Sequence, residues 1–194
     1  KHLSLSKNNN NRFYLFGLRF FNIIISMVGL IVLLCLIPVL YLGNLLGNRG
    51  PFFYSQERVG QNGRKFNIFK LRTMVKNAET KEAVWASKND KRITSFGSFL
   101  RNTRLDELPQ FYNILKGEMS FIGPRPERPE FVKDLEDKIP FYAIRTVVSP
   151  GLTGWAQVKY PYANSIKEQE VKLRYDLYYI KERSAFMDFK ILIK

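Results

Sequence analysis

The sequence predicts an α+β fold in which a re-entrant membrane helix hairpin and a short β-hairpin precede a mainly helical domain with interfacial amphipathic helices. Three observations carry that prediction. An uncharged apolar run fills Phe20 to Leu46, an Asn62-Gly63 pair separates two strand-like runs, and helical periodicity begins behind a capping box at Ser165. The segments divide into a polar lead over residues 1–18, the membrane hairpin over 19–50 and a single domain over 51–194. A chain of 194 residues is long enough for one compact core with a membrane segment attached.

The apolar run passes the length test for a membrane helix. No small-x-small cleavage site follows it, so it is not a cleaved leader. Pro38 lies about two thirds of the way along, where a missing N–H and a displaced carbonyl predict a break or kink. The stretch before it, Phe20 to Ile37, rises only about 27 Å at helical pitch, short of a hydrocarbon core of about 30 Å. Arg12 and Arg19 precede the run, and Arg49, Arg58, Arg64 and Lys65 follow it. Positive charge favours the cytoplasmic face, so both flanks prefer the same side. A helix that enters the membrane and returns satisfies both observations. A kinked spanning helix stays open, whereas a core helix is disfavoured because the run is apolar on every face.

Beyond Pro51, the Asn62-Gly63 turn, flanked by the preceding aromatic run and by Phe66 and Ile68, is a β-hairpin signal. This hairpin carries Arg58, Arg64, Lys65, Lys70 and Arg72 close to the membrane segment. Ser165-x-x-Glu168 is a capping-box pattern, and Leu173, Leu177 and Ile180 continue it at helical spacing. The tail from Ser184 reads as another helix whose apolar surface suits either the membrane interface or ordinary core packing.

Charge and composition narrow the chemistry. Thirty-one basic against 17 acidic residues leave a net charge of +14, which calls for an anionic partner: nucleic acid, lipid headgroups or a phosphorylated substrate. The absence of a nucleic-acid motif beside a membrane segment sets nucleic acid aside. One cysteine, Cys35, lies in the apolar run and one histidine, His2, in the polar lead, so there is no zinc cluster and no basis for histidine catalysis.

The chemistry then rests on Leu100 to Gln110 and on Gly123-Pro124-Arg125-Pro126. Pro109 places a helix start near Asp106, making Asp106 an N-cap or first-turn residue. A plain cap is the structural account of such a residue. The functional account starts from Arg101, Arg104 and Arg125: a carboxylate among them at a helix N-terminus is expected to have a lowered pKa and to stay ionised as a nucleophile. Its neighbour Glu107 points elsewhere and can hold Mg²⁺ against a diphosphate. Flanking prolines present Arg125 for bidentate phosphate contact, unless the motif is only a rigid turn. Pro150-Gly151-Leu152-Thr153-Gly154-Trp155 reads as a rigid loop, more often packing than ligand binding.

QERVGQNG with KLRTM, NDKRIT, LRNTRLDELPQFYNILKGEMSFIGPRP, SPGLTGWAQV and YDLYYIKERSAFMDFKIL occur in this order from about Arg19 to the end. Together they resemble the bacterial sugar transferase family, the monotopic phosphoglycosyl transferases that start glycan assembly. The resemblance implies transfer of a sugar phosphate from a UDP-sugar to polyprenyl (undecaprenyl) phosphate, with UMP released. It implies Asp106 as nucleophile, Glu107 as Mg²⁺ ligand, and Arg101 and Arg125 at phosphate. Arg58, Lys70 and Arg72 of the hairpin are further phosphate-binding candidates. It also implies a re-entrant helix kinked at Pro38, membrane lipids as partners, room for a homo-oligomer, and a bacterial inner membrane location with the catalytic domain facing the cytoplasm. The family's serine before the kink proline is Ile37 here, which leaves the kink's stabilisation open. Glu127 to Phe131 resembles larger members with extra upstream membrane helices, so the chain is expected to be part of a longer protein. Direct attack in a ternary complex, with Asp106 as base or metal ligand, and a non-catalytic basic membrane adaptor are the competing readings.

Overall fold

In the computed structural model, residues 12–48, 50–78, 90–160 and 165–194 are described. His2, the asparagine-rich lead and Arg49 lie outside these residues. Helix α1 (Arg12–Gly47) is 36 residues long and takes up part of the segment assigned from sequence to the polar lead. It continues through Pro38, so of the break or kink expected at that residue the break does not occur. A single proline removes one N–H from the ladder, and the bonds on either side hold the remainder.

One stripe of α1 is buried: Asn22, Ser26, Gly29, Leu33, Leu40 and Asn44. Much of its outer surface, including Met27, Val28, Ile31, Leu34, Val39 and Leu42, is exposed and apolar, which marks α1 as a membrane helix. Polar contacts fasten both ends of the stripe to the rest of the fold. Arg19 donates to the carbonyls of Ile114 (2.8 Å) and Leu115 (2.6 Å). Asn22 donates to Ser120 Oγ at 3.0 Å and accepts from the Phe121 N–H at 3.0 Å. Near the other end Asn44 donates to the Gly50 carbonyl (2.9 Å) and Asn48 to that of Arg72 (2.7 Å). Gly29 lets the ring of Phe111 lie against the helix, where a Cβ would come within 2.5 Å of it.

The β-hairpin forms as the sequence predicts. Strands β1 (Phe53–Val59) and β2 (Lys65–Leu71) pair antiparallel, with Asn62 and Gly63 both at positive φ in the connection. A second, parallel pair joins β3 (Ser120–Ile122) to β4 (Gly151–Thr153), so part of the Pro150 to Trp155 segment is strand rather than loop. Helices α2 (Ser95–Asn102), α3 (Gln110–Lys116), α4 (Pro129–Lys138) and α5 (Trp155–Lys159) fill the intervals. The capping box starts α6 (Ile166–Glu182), with both of its hydrogen bonds formed. Ser184 caps α7 (Ala185–Leu192), which buries Met187 and Ile191 and leaves Phe186 and Phe189 outside. Leu40 of α1 packs with Leu71 and Leu100, while Ile68, Ile114 and Met119 close the core between β2 and α3. These two clusters fix β2, α2 and α3 around the acidic pair.

Candidate active site

Asp106 and Glu107 sit in a 3₁₀ turn, Leu105–Glu107, entered through Arg104 in the left-handed region at φ 59°. The run continues with i to i−3 hydrogen bonds, Leu108 N–H to Leu105 and Phe111 N–H to Leu108, and α3 begins only at Gln110. Pro109 suits this tight run because the N–H it lacks has no essential partner there. Of the two expected placements, Asp106 is a first-turn residue and not a cap, but the turn is 3₁₀ and stands four residues before α3, which is only seven residues long. The positive field at the pair comes from side chains instead of a helix end.

Those side chains come from three directions. Lys70 of β2 donates to Glu107 Oε1 at 2.8 Å, and Arg125, from the Gly-Pro-Arg-Pro loop, donates to the same oxygen at 2.5 Å. Burial alone would raise the Glu107 pKa, but these two cations hold it well below the usual carboxylate range. Burial pushes the Lys70 ammonium down, against the pull of Glu107. Asp106 is 6% exposed, and its Oδ1 has no hydrogen-bond partner. Its pKa goes the other way from the sequence expectation. Burial raises it, Lys70 is the largest opposing influence, Glu107 adds to the rise, and Arg101 and Arg125 lower it. The correction has a physical cause: proximity of cations was legible in the motif, while the loss of solvent was not. Two adjacent carboxylates with proton affinities driven apart are suited to different tasks.

The remaining candidates separate. Arg101 stays beside the pair, its Nε donating to Thr73 Oγ1 at 2.9 Å. Arg72 instead donates to the Pro51 carbonyl and covers the Tyr54 ring. Arg58 turns to the other side of the Arg125 loop, donating to Gln56 Oε1 (2.6 Å) and the Pro126 carbonyl (3.3 Å), with Glu127 3.9 Å away.

Glu127 opens a buried ionic cluster that the motifs did not disclose. Lys172 donates to it at 2.7 Å, and Arg145 donates to Asp176 (2.9 Å), the Tyr142 hydroxyl (2.6 Å) and the Arg125 carbonyl (2.9 Å). The available signal was Lys172 and Asp176, four residues apart beside Leu173 on the buried face of α6.

Among the described residues no group of three or more acidic, histidine or cysteine side chains converges as a metal cage. The acidic pair nevertheless suits a hard cation in donor type, since both groups offer carboxylate oxygens. Mg²⁺ commonly uses one or two carboxylates with water and substrate phosphate.

A carboxylate pair enclosed by lysine and arginine thus stands on a fold fastened to the apolar helix α1. Residues 13–194 match the model for the bacterial sugar transferase family, and the chain belongs to that family. It is 46% identical over 149 residues to the UDP-N-acetylgalactosamine-undecaprenyl-phosphate N-acetylgalactosaminephosphotransferase of Aeromonas hydrophila, covering 77% of this chain and 35% of that protein. It is 37% identical over 171 residues to the UDP-glucose:undecaprenyl-phosphate glucose-1-phosphate transferase of Escherichia coli (strain K12), covering 86% of this chain and 37% of the relative. A shorter Bacillus subtilis (strain 168) relative is 47% identical over 132 residues, covering 68% of this chain and 74% of its own length. The chain thus spans little more than a third of the Aeromonas and Escherichia proteins.

Proposed function

We propose that this chain carries the catalytic site of a polyprenyl-phosphate sugar-1-phosphate transferase that uses a UDP-sugar donor. The observation that carries the proposal is the split pair: Asp106, with an unpaired oxygen, beside Glu107 held ionised by Lys70 and Arg125. An Asp106 carboxylate oxygen attacks the β-phosphorus. The new O–P bond forms as the bond from that phosphorus to the bridging oxygen of the α-phosphate breaks, and UMP leaves with that oxygen. A phosphate oxygen of the polyprenyl phosphate then attacks the same phosphorus, the aspartyl O–P bond breaks, and the Asp106 carboxylate is regenerated. The product is a polyprenyl diphosphate sugar. Such chemistry depends on positioning and charge neutralisation, to which Arg101 and Arg125 contribute fixed donors. Glu107 would hold Mg²⁺, which when bound supplies neutralisation of the diphosphate.

Topology belongs to the same proposal: α1 enters and leaves on the cytoplasmic face of the inner membrane. Its support is the set of polar contacts at both ends of α1, Arg19 and Asn22 to α3 and β3 at one and Asn48 to the Arg72 carbonyl just past the other. A straight crossing would carry one set through hydrocarbon.

Incubation with labelled UDP-N-acetylgalactosamine or UDP-glucose, without lipid acceptor, is expected to leave labelled sugar phosphate on the protein, with UMP released stoichiometrically. Asp106→Asn is expected to carry none. The raised proton affinity of Asp106 favours one second reading, in which it serves as base for direct attack by the lipid phosphate. Turnover with acceptor present, but no adduct in its absence, would decide for that reading.

A further inference from the structure

The helical run from Leu105 to Lys116 carries three buried polar residues spaced by three, Glu107, Gln110 and Asn113, beside β2. At one end Glu107 accepts from Lys70 of β2. At the other, Asn113 donates to the Asn67 carbonyl at 2.7 Å and accepts from the Phe69 N–H at 3.1 Å. Gln110, between them, is fully buried, and neither its Nε2 nor its Oε1 has a partner. A closed interior favours an apolar side chain of this length over an unpaired amide, so a glutamine here requires an explanation.

One turn back lies the matching vacancy in hydrogen bonding. Within this run, among the described residues, the other buried side-chain atom without a partner is Asp106 Oδ1. The two are complementary: a carboxylate oxygen accepts, and a primary amide has two protons to give. Residues three to four apart in a tight helical run lie within side-chain reach. We propose that Gln110 is a positioning residue for Asp106, its amide reaching the buried Oδ1 through one enclosed water. With Oδ1 held, rotation about the carboxylate bond is stopped and Oδ2 is the oxygen presented to phosphorus. The gain is orientational, as expected where a nucleophile must meet phosphorus in line. The inference rests on Asp106 being the nucleophile, and its test separates the two claims.

The test uses the full chain in detergent with UDP-N-acetylgalactosamine, and UDP-glucose in parallel, without acceptor. Gln110→Met keeps the length and loses the amide; Gln110→Glu keeps size and polarity and loses the NH₂ donor, which guards against a methionine variant that does not fold. Both are expected to slow formation of the sugar-phosphate adduct at saturating donor by about tenfold or more, with the half-saturating donor concentration within about twofold of the parent. A merely structural glutamine would leave the saturated rate unchanged in folded variants, and that result overturns the inference while the adduct on Asp106 stands. Absence of adduct in the parent protein sinks the covalent mechanism instead. The pairing is then judged by unfolding midpoints alone. Gln110→Met is expected to lower the midpoint in the parent and not in an Asp106→Ala background, and equal shifts in both backgrounds overturn it.

Discussion

Asp106 and Glu107 are neighbours in sequence with opposite linkage to pH. The folded-state pKa of Asp106 lies above its ordinary 3.8, so its favourable contribution is complete below that value and is lost as pH rises through the folded pKa. At neutral pH its charge is a cost. Glu107 is held below its ordinary 4.5, so its contribution is present above that value and lost as pH falls through the folded pKa. Asp106→Asn is therefore expected to raise the unfolding midpoint at pH 7, at about 2–4 °C per kcal/mol relieved, while abolishing turnover because an amide is a poor nucleophile. Glu107→Gln leaves Lys70 and Arg125 without their shared carboxylate and is expected to cost about 3–5 kcal/mol. Thermal unfolding of both variants checks the pair of signs, and two midpoints moving the same way would contradict the assigned environments. The same shifts set the rate profile. The acid limb of kcat/KM should lie above the ordinary carboxylate value, since in the proposed mechanism Asp106 attacks in its ionised form. Lys70→Met removes the largest influence opposing that rise and should move the limb further up. A limb that stays in place in Lys70→Met would assign it to another group.

At the scale of elements, the loop carrying Arg125 is held through its carbonyls. Pro124 accepts from the Gly151 N–H, Arg125 from Arg145, Pro126 from Arg58 and Glu127 from the Val59 N–H. The backbone beneath Arg125 is thus fixed by β1, by the start of β4 and by the ionic cluster beside α6, and its guanidinium meets Glu107 with little freedom left to lose. Arg125→Lys keeps the charge but not the planar fork, and is expected to lower kcat/KM about tenfold or more. A lysine variant with parental kcat/KM would reduce Arg125 to a turn residue. What was legible in the sequence at this scale was local. Asn62-Gly63 requires positive φ and the Ser165 box needs partners three residues apart, so both elements fell where expected. Asp106 and Glu107 were legible as a pair among arginines, but the 3₁₀ turn displaced the start of α3, and burial reversed the expected pKa of Asp106. The partners of Arg58 and Arg145 were not legible because they are set by tertiary packing across 69 and 31 residues of chain.

At the scale of the whole molecule, the question is how a chain of net charge +14 carries an apolar helix and, on the proposed function, still presents its site to a soluble nucleotide. Arg19 is tied to the last carbonyls of α3, Asn22 to β3, and Asn48 to Arg72, so α1 cannot move one end across a bilayer without breaking bonds to the catalytic body. The arginines of its amino-terminal flank add electrostatic resistance to crossing. Cysteines at Gly17, where a side chain meets nothing within 4 Å, and at exposed Pro51 can report on the two flanks, in a Cys35→Ser background that removes the exposed native thiol. Both are expected to react with a membrane-impermeant maleimide in inside-out inner-membrane vesicles and to be protected in right-side-out vesicles. Reaction of Gly17→Cys from one face and Pro51→Cys from the other would establish a spanning helix. The polar contacts at one end of α1 would then have to be remade in the membrane-bound protein, while the chemistry at Asp106 would stand or fall on the adduct alone.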